Sequence, residues 1–130
     1  MDVSYILDEL NNAQREAVTS ESKKLLVLAG AGSGKTKVLV HRIAWLIKAL
    51  SSSTHSILSV TFTNKAANEM TARIENILDQ PIPEMWCGTF HSISNKILRR
   101  HYKEAGLEKD FNILDSDDQL RIIKRNLKDL

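Results

Sequence analysis

The segment Gly30-Ala31-Gly32-Ser33-Gly34-Lys35-Thr36 constrains the fold of this chain more than any other feature. A short leucine and valine run at residues 24–29 precedes it. Residues 34–50 follow, with apolar Val38, Ile43, Trp45, Leu46 and Leu50 at roughly helical spacing. The pattern predicts a strand, a glycine-rich turn and a helix in succession, which is the context a P-loop requires. Glycines let the backbone bend so that successive N–H groups point inward at phosphate oxygens, and the helix start adds partial positive charge. The Lys35 ammonium can then reach β- and γ-phosphates, and the Thr36 hydroxyl can ligate Mg²⁺. Ala29 stands where the strict pattern has glycine, a departure that bears on main-chain geometry and leaves the Gly34-Lys35-Thr36 chemistry intact. The bland alternative is a glycine-rich strand-to-helix turn with an incidental lysine. Against it, lysine, threonine, strand and helix all fall where phosphate binding needs them.

Beyond this loop the same alternation repeats. Residues 56–62 predict a second strand, 64–78 a second helix, 85–90 a third strand, and 91 to about 103 a third helix. Breaks fall at the serine-rich 51–56 and the proline-containing 79–84. Repeated β-α units imply an α/β fold with a parallel sheet covered by helices. Ser116-Asp117-Asp118-Gln119 has the form of a capping box, and Leu120, Ile123, Leu127 and Leu130 then make one apolar stripe. A striped helix needs a cover and little sequence remains to supply one, so an incomplete domain is expected.

Composition narrows the functional classes only slightly. Eighteen Lys+Arg against sixteen Asp+Glu leave a net charge of +2, too small to argue alone for a nucleic-acid partner, so any DNA surface must be local. The single cysteine, Cys87, has no partner for an internal disulfide, and no His or second Cys stands at a ligand spacing. It reads as a small core side chain. With no leader-like start and no apolar run of spanning length, a cytoplasmic protein without membrane insertion is expected.

Four motifs taken together carry a family resemblance: Leu10-Asn11-Asn12-Ala13-Gln14, the glycine-rich loop, Thr61-Phe62-Thr63-Asn64-Lys65-Ala66-Ala67, and Gly88-Thr89-Phe90-His91. With them the whole chain resembles the amino-terminal region of the UvrD/Rep/PcrA group of superfamily-one helicases. That resemblance implies the first part of a P-loop RecA-like ATP-binding motor domain over residues 1–90, followed by the start of an inserted helical subdomain over 91–130. It also implies ATP and Mg²⁺ as ligands, single-stranded and duplex DNA as partners, 3′-to-5′ unwinding, and work alongside repair or replication proteins. The ATP-binding set would be Gln14, Ala29, Gly30, Ala31, Gly32, Ser33, Gly34, Lys35, Thr36 and Lys37, with Lys35 and Thr36 catalytic and Thr36 on Mg²⁺. Phe62, Thr63, Asn64, Thr89, Phe90 and His91 would contact DNA. The magnesium carboxylates, the water-activating glutamate and the γ-phosphate arginines of the family come later in its chains.

Several residues keep two readings. Gln14 offers a donor and an acceptor to an adenine edge, yet three residues after Asn11 it also suits a reciprocal helix cap. Lys37 stands where relatives often carry an arginine against the adenine face, and lysine stacks less well on a planar ring. Phe62 sits at the carboxyl end of the second strand, the edge where α/β sheets bind ligands, where it serves either as a base-stacking ring or as core, and Thr63 or Asn64 either holds phosphate or sugar or caps a helix. Lys96, Arg99, Arg100 and Lys103, with His101, form either a solvated face or a DNA-backbone contact. Asp115 could end an apolar run as a metal carboxylate, although Asp115, Asp117 and Asp118 also suit a helix start. Competing functions are a self-contained P-loop enzyme of another class and a non-catalytic nucleotide- or DNA-binding module.

Overall fold

A computed structural model describes residues 2–130. Five α-helices and two β-strands form among them: α1 (Asn12–Thr19), α2 (Lys35–Lys48), β1 (Leu58–Thr61), α3 (Asn64–Leu78), β2 (Trp86–Thr89), α4 (Phe90–Arg100) and α5 (Ser116–Lys128). The protein is thus mixed helix and strand with a small parallel sheet. By its contacts the chain divides into two units, Met1–Ser94 and Asn95–Leu130. No helix among the described residues is long and apolar enough to cross a membrane.

In the first unit, α3 shows how local signals set an element. The Thr63 side chain accepts the Ala66 N–H at 3.1 Å and so caps the helix start. Ala67, Met70, Ile74 and Leu78 recur at three- and four-residue steps and are all buried, so one stripe faces the core. Across from them, α2 contributes Val40, Ile43 and Ala44, and Ile6, Ile82 and Met85 close the cluster. Ile74 is fully buried, worth about 1.5–3 kcal/mol relative to exposure. A smaller cluster of Leu10, Val18 and Val38 joins α1 to the first turns of α2.

Strand β1, helix α3 and strand β2 form a crossover unit with parallel strands paired in register from Leu58↔Trp86 to Thr61↔Thr89. The shared register brings both strands to their carboxyl ends at the same level. Phe62 therefore follows β1 where Phe90 follows β2.

Both strands are shorter than the sequence expectation, Leu58–Thr61 against 56–62 and Trp86–Thr89 against 85–90, and three further differences stand out. Residues 24–29 are not a strand, because no neighbour pairs with them among the described residues and a ladder needs one. Their exposures still alternate as an extended segment would: Leu25 48%, Leu26 81%, Val27 43%, Leu28 85%. The helix expected to run to about residue 103 ends at Arg100, and a turn follows in which Gly106 sits at φ +70°. At α5 the cap is Asp115, one residue earlier than the predicted Ser116, with its carboxylate accepting the Asp118 N–H at 2.8 Å.

The second unit is held by Arg99. Its guanidinium lies 3.8 Å from the Phe111 ring centroid and donates to the Phe111 carbonyl at 2.6 Å, while Nε donates to Asn95 Oδ1 at 3.2 Å. In α5 the apolar stripe is open: Leu120, Ile123 and Leu127 are 49%, 48% and 63% exposed.

Candidate nucleotide cradle and nucleic-acid edge

The glycine-rich loop turns because Gly32 and Gly34 adopt φ of +73° and +85°, backbone that residues with a Cβ rarely enter. Within it, the Ser33 N–H donates to the Gly30 carbonyl at 3.2 Å, and the Ser33 hydroxyl donates to the same oxygen. Gly34 is the N-cap of α2. Asn11, Thr63 and Asp115 cap their helices with side-chain oxygens, whereas α2 has no side-chain cap. Its first-turn N–H groups, at Lys35, Thr36 and Lys37, have no partner four residues back and point out of the helix start. Lys35 and Thr36 are exposed, as are Gly30, Ala31, Gly32 and Ser33. The helix start offers the main-chain donors of its first turn, one ammonium and one hydroxyl to an anion.

Helix α1 packs against this turn. The Gln14 N–H donates to Asn11 Oδ1 at 2.9 Å, and the Asn11 N–H donates to Gln14 Oε1 at 3.0 Å, so the reciprocal cap is formed. The other end of the same carboxamide faces the loop: Gln14 Nε2 lies 2.9 Å from where a Cβ on Gly34 would stand. A side chain at Gly34 would displace it. Gln14, Ala29, Ser33 and Lys35 line one cavity of about 170 Å³ with Val27 and Val38. Lys37 is not among those residues. Its Nζ donates to the Glu9 carbonyl at 3.0 Å.

Arg42 is a feature that sequence reasoning missed. One guanidinium nitrogen donates to the carbonyls of Val18 and Ser20 at 2.7 and 2.6 Å, satisfying the end of α1. Seven residues after Lys35, it shares that helix face and lines an apolar cleft with Lys35, Leu25, Val27 and Leu39. A cation two turns along the helix that follows the glycine-rich loop was the available signal.

At the carboxyl edge of the sheet, Phe62 is 91% exposed and Phe90 56% exposed. Phe62 is therefore outside the core of the described residues. The two rings lie 5.8 Å apart between centroids, tilted by 45°. Thr63 is committed to capping α3, with Asn64 opening that helix. Thr89 plays the same part for α4: its Oγ accepts the Ser92 N–H at 3.1 Å and stands 2.9 Å from Ser92 Oγ. Asn64 and His91 are exposed. Arg99, from the basic run, is engaged with Phe111 and Asn95 as described. Cys87 points its thiol at the Ala67 carbonyl, 3.6 Å away. The Asp115 carboxylate caps α5, and no three His, Cys, Asp or Glu side chains cluster as a metal site among the described residues.

Comparison with known proteins agrees with the sequence resemblance. Residues 10–130 match the family described as the UvrD/REP helicase N-terminal domain. DNA helicase II of Escherichia coli is 58% identical over 128 residues, covering 98% of this chain and 18% of that protein. DNA helicase II of Haemophilus influenzae is 57% identical over 132 residues, with the same coverage of each. The ATP-dependent DNA helicase PcrA of Bacillus subtilis is 48% identical over 126 residues, 97% of this chain and 17% of that protein. The chain thus spans less than a fifth of the length of these relatives.

Proposed function

Because the chain belongs to the UvrD/REP helicase family across residues 10–130, we propose that it is the ATP-binding amino-terminal part of an ATP-dependent DNA helicase. The whole protein would translocate on single-stranded DNA and unwind duplex DNA. The observation that carries the reading is the start of α2, where a glycine turn, unpaired first-turn N–H groups, Lys35 and Thr36 meet without a side-chain cap.

In this reading the glycine-rich turn and the free N–H groups at the start of α2 enclose the phosphates of ATP, and Lys35 neutralises their charge. Thr36 supplies one hydroxyl oxygen, the hard ligand type that Mg²⁺ takes, and Mg²⁺ would supply further neutralisation of the phosphates. Ala29 closes the cradle from the preceding segment, and the Gln14 carboxamide would meet the adenine edge from beside Gly34, Nε2 donating to a ring nitrogen and Oε1, which accepts the Asn11 N–H with one lone pair, accepting the exocyclic amino hydrogen with the other. Phe62 and Phe90 offer stacking faces to bases, with Thr63, Asn64, Thr89 and His91 around them, a surface that binds without reading sequence. Residues 1–90 would form the first part of a RecA-like motor domain and 91–130 the start of an inserted subdomain. We further propose, on the sequence resemblance alone, 3′-to-5′ polarity, a cytoplasmic setting and repair or replication partners.

The test is nucleotide affinity. Lys35→Ala in the full-length protein removes a charge-assisted phosphate contact worth about 1.5–3 kcal/mol, roughly tenfold to a hundredfold in the Kd for ADP. Equal affinity by calorimetry on folded protein would place the nucleotide elsewhere.

A further inference from the structure

Lys37 leaves α2 on the side away from Lys35, since side chains two residues apart diverge by about 200° around an α-helix. Its ammonium ends on the segment that leads into α1. Nζ donates to the Glu9 carbonyl oxygen at 3.0 Å and lies 3.8 Å from Glu9 Oε2. The Glu9 side chain is 77% exposed, so the ion pair adds little, and the bond to the carbonyl is the tie. From Glu9 the chain passes through buried Leu10 to Asn11, which caps the Gln14 N–H. Gln14 Nε2 stands 2.9 Å from the position of a Gly34 Cβ, and Lys37 Cβ stands 3.9 Å from the same point. The segment from Glu9 to Gln14 is therefore tied to α2 at one end by Lys37 on Glu9, and at its other end Gln14 Nε2 lies close beside Gly34.

We propose that Lys37 is a positioning residue that tethers the entry of α1 to the P-loop helix and thereby sets the Gln14 carboxamide for adenine. The proposal rests on the reading of Gln14 as the adenine contact. A tether and a stacking cation act differently. A cation over a ring face strengthens binding of any purine, because the face carries no donor or acceptor pattern. A tether acts through Gln14, and its loss blurs the distinction between bases whose edges differ.

The experiment uses the full-length protein and two probes, ADP and inosine diphosphate, in which a carbonyl acceptor replaces the exocyclic amino donor of adenine. Lys37→Met keeps an aliphatic stem without the donors, and Lys37→Arg keeps a donor within reach of the Glu9 carbonyl. Calorimetry gives the ratio of the two affinities, and amide hydrogen exchange on nucleotide-free protein reports the order of residues 10–15. Lys37→Met and Gln14→Ala should each cut the ADP preference about two- to tenfold, the span of one neutral hydrogen bond. The double variant should lose no more than either alone, as expected for residues acting in one chain of contacts. Lys37→Met should also speed exchange in residues 10–15, and Lys37→Arg should restore both readouts. Equal weakening of both nucleotides by Lys37→Met, with the ratio kept, would make Lys37 a stacking group and overturn the proposal. Unchanged exchange would overturn it as well. If the wild type or Gln14→Ala showed that Gln14 does not govern the ADP preference, the Gln14 reading would fall, and the exchange result alone would decide the tether.

Discussion

Removing the Phe62 ring separates a DNA-contacting aromatic from a structural one, because the two roles move different quantities. Phe62 is 91% exposed and its ring lies against that of Phe90, with centroids 5.8 Å apart. Phe62→Ala therefore opens no core cavity and costs at most the aromatic pair, about 0.5–1.5 kcal/mol. A phenylalanine packed in a core would cost about 3–5 kcal/mol. If bases stack on the ring, its loss weakens DNA binding by about 1–3 kcal/mol, roughly fivefold to a hundredfold in Kd. The measurements are melting temperature, ADP affinity without DNA, and affinity for a single-stranded oligonucleotide by fluorescence anisotropy, all on the full-length protein. The expected pattern is a small change in melting temperature, unchanged ADP affinity and the stated loss for DNA. Phe62→Leu, which keeps apolar bulk without a π-face, should not restore binding. Unchanged DNA affinity in stable Phe62→Ala protein would remove the ring from the DNA site, and a parallel fall in all three quantities would return it to the core.

Two further outcomes are expected. The 130-residue chain by itself should bind Mg·ADP without turning over ATP, since a cradle without positioned metal carboxylates and a water-orienting base supplies binding and no chemistry; sustained phosphate release that Lys35→Ala abolishes would favour a self-contained enzyme. Asp115→Ala should destabilise α5 by about 0.5–2 kcal/mol through loss of its cap on the Asp118 N–H, and Asp115→Asn should recover most of that. Thermal melts and ATPase assays of both variants in the full-length protein check this, because loss of ATPase activity in stable Asp115→Asn protein would instead make Asp115 a metal ligand.

How much of the molecule could be read from sequence follows the range of the interactions involved. Helix α3 forms over the residues expected, because its cap at Thr63 and its stripe of Ala67, Met70, Ile74 and Leu78 are signals within one segment. The cap of α5 slips by one residue because Asp115 and Ser116 are both competent oxygens, and only the backbone path selects between them. The run at 24–29 shows the opposite limit. Its composition and its alternating exposure suit a strand, but a ladder depends on a neighbour that the run itself cannot specify. The site divides in the same way. Gly30 to Thr36 is contiguous, so the turn, the helix start, Lys35 and Thr36 are visible together. Phe62 and Phe90 each end an expected strand, yet their contact depends on the register that pairs Thr61 with Thr89. Lys37 and Glu9 are 28 residues apart, and nothing local in either segment announces their bond. Motif spacing thus identifies groups that face a ligand from one stretch of backbone. Groups that aim those residues from another element become visible only when packing is known, and for that reason Lys37, inside the motif by position, is argued from a contact outside it.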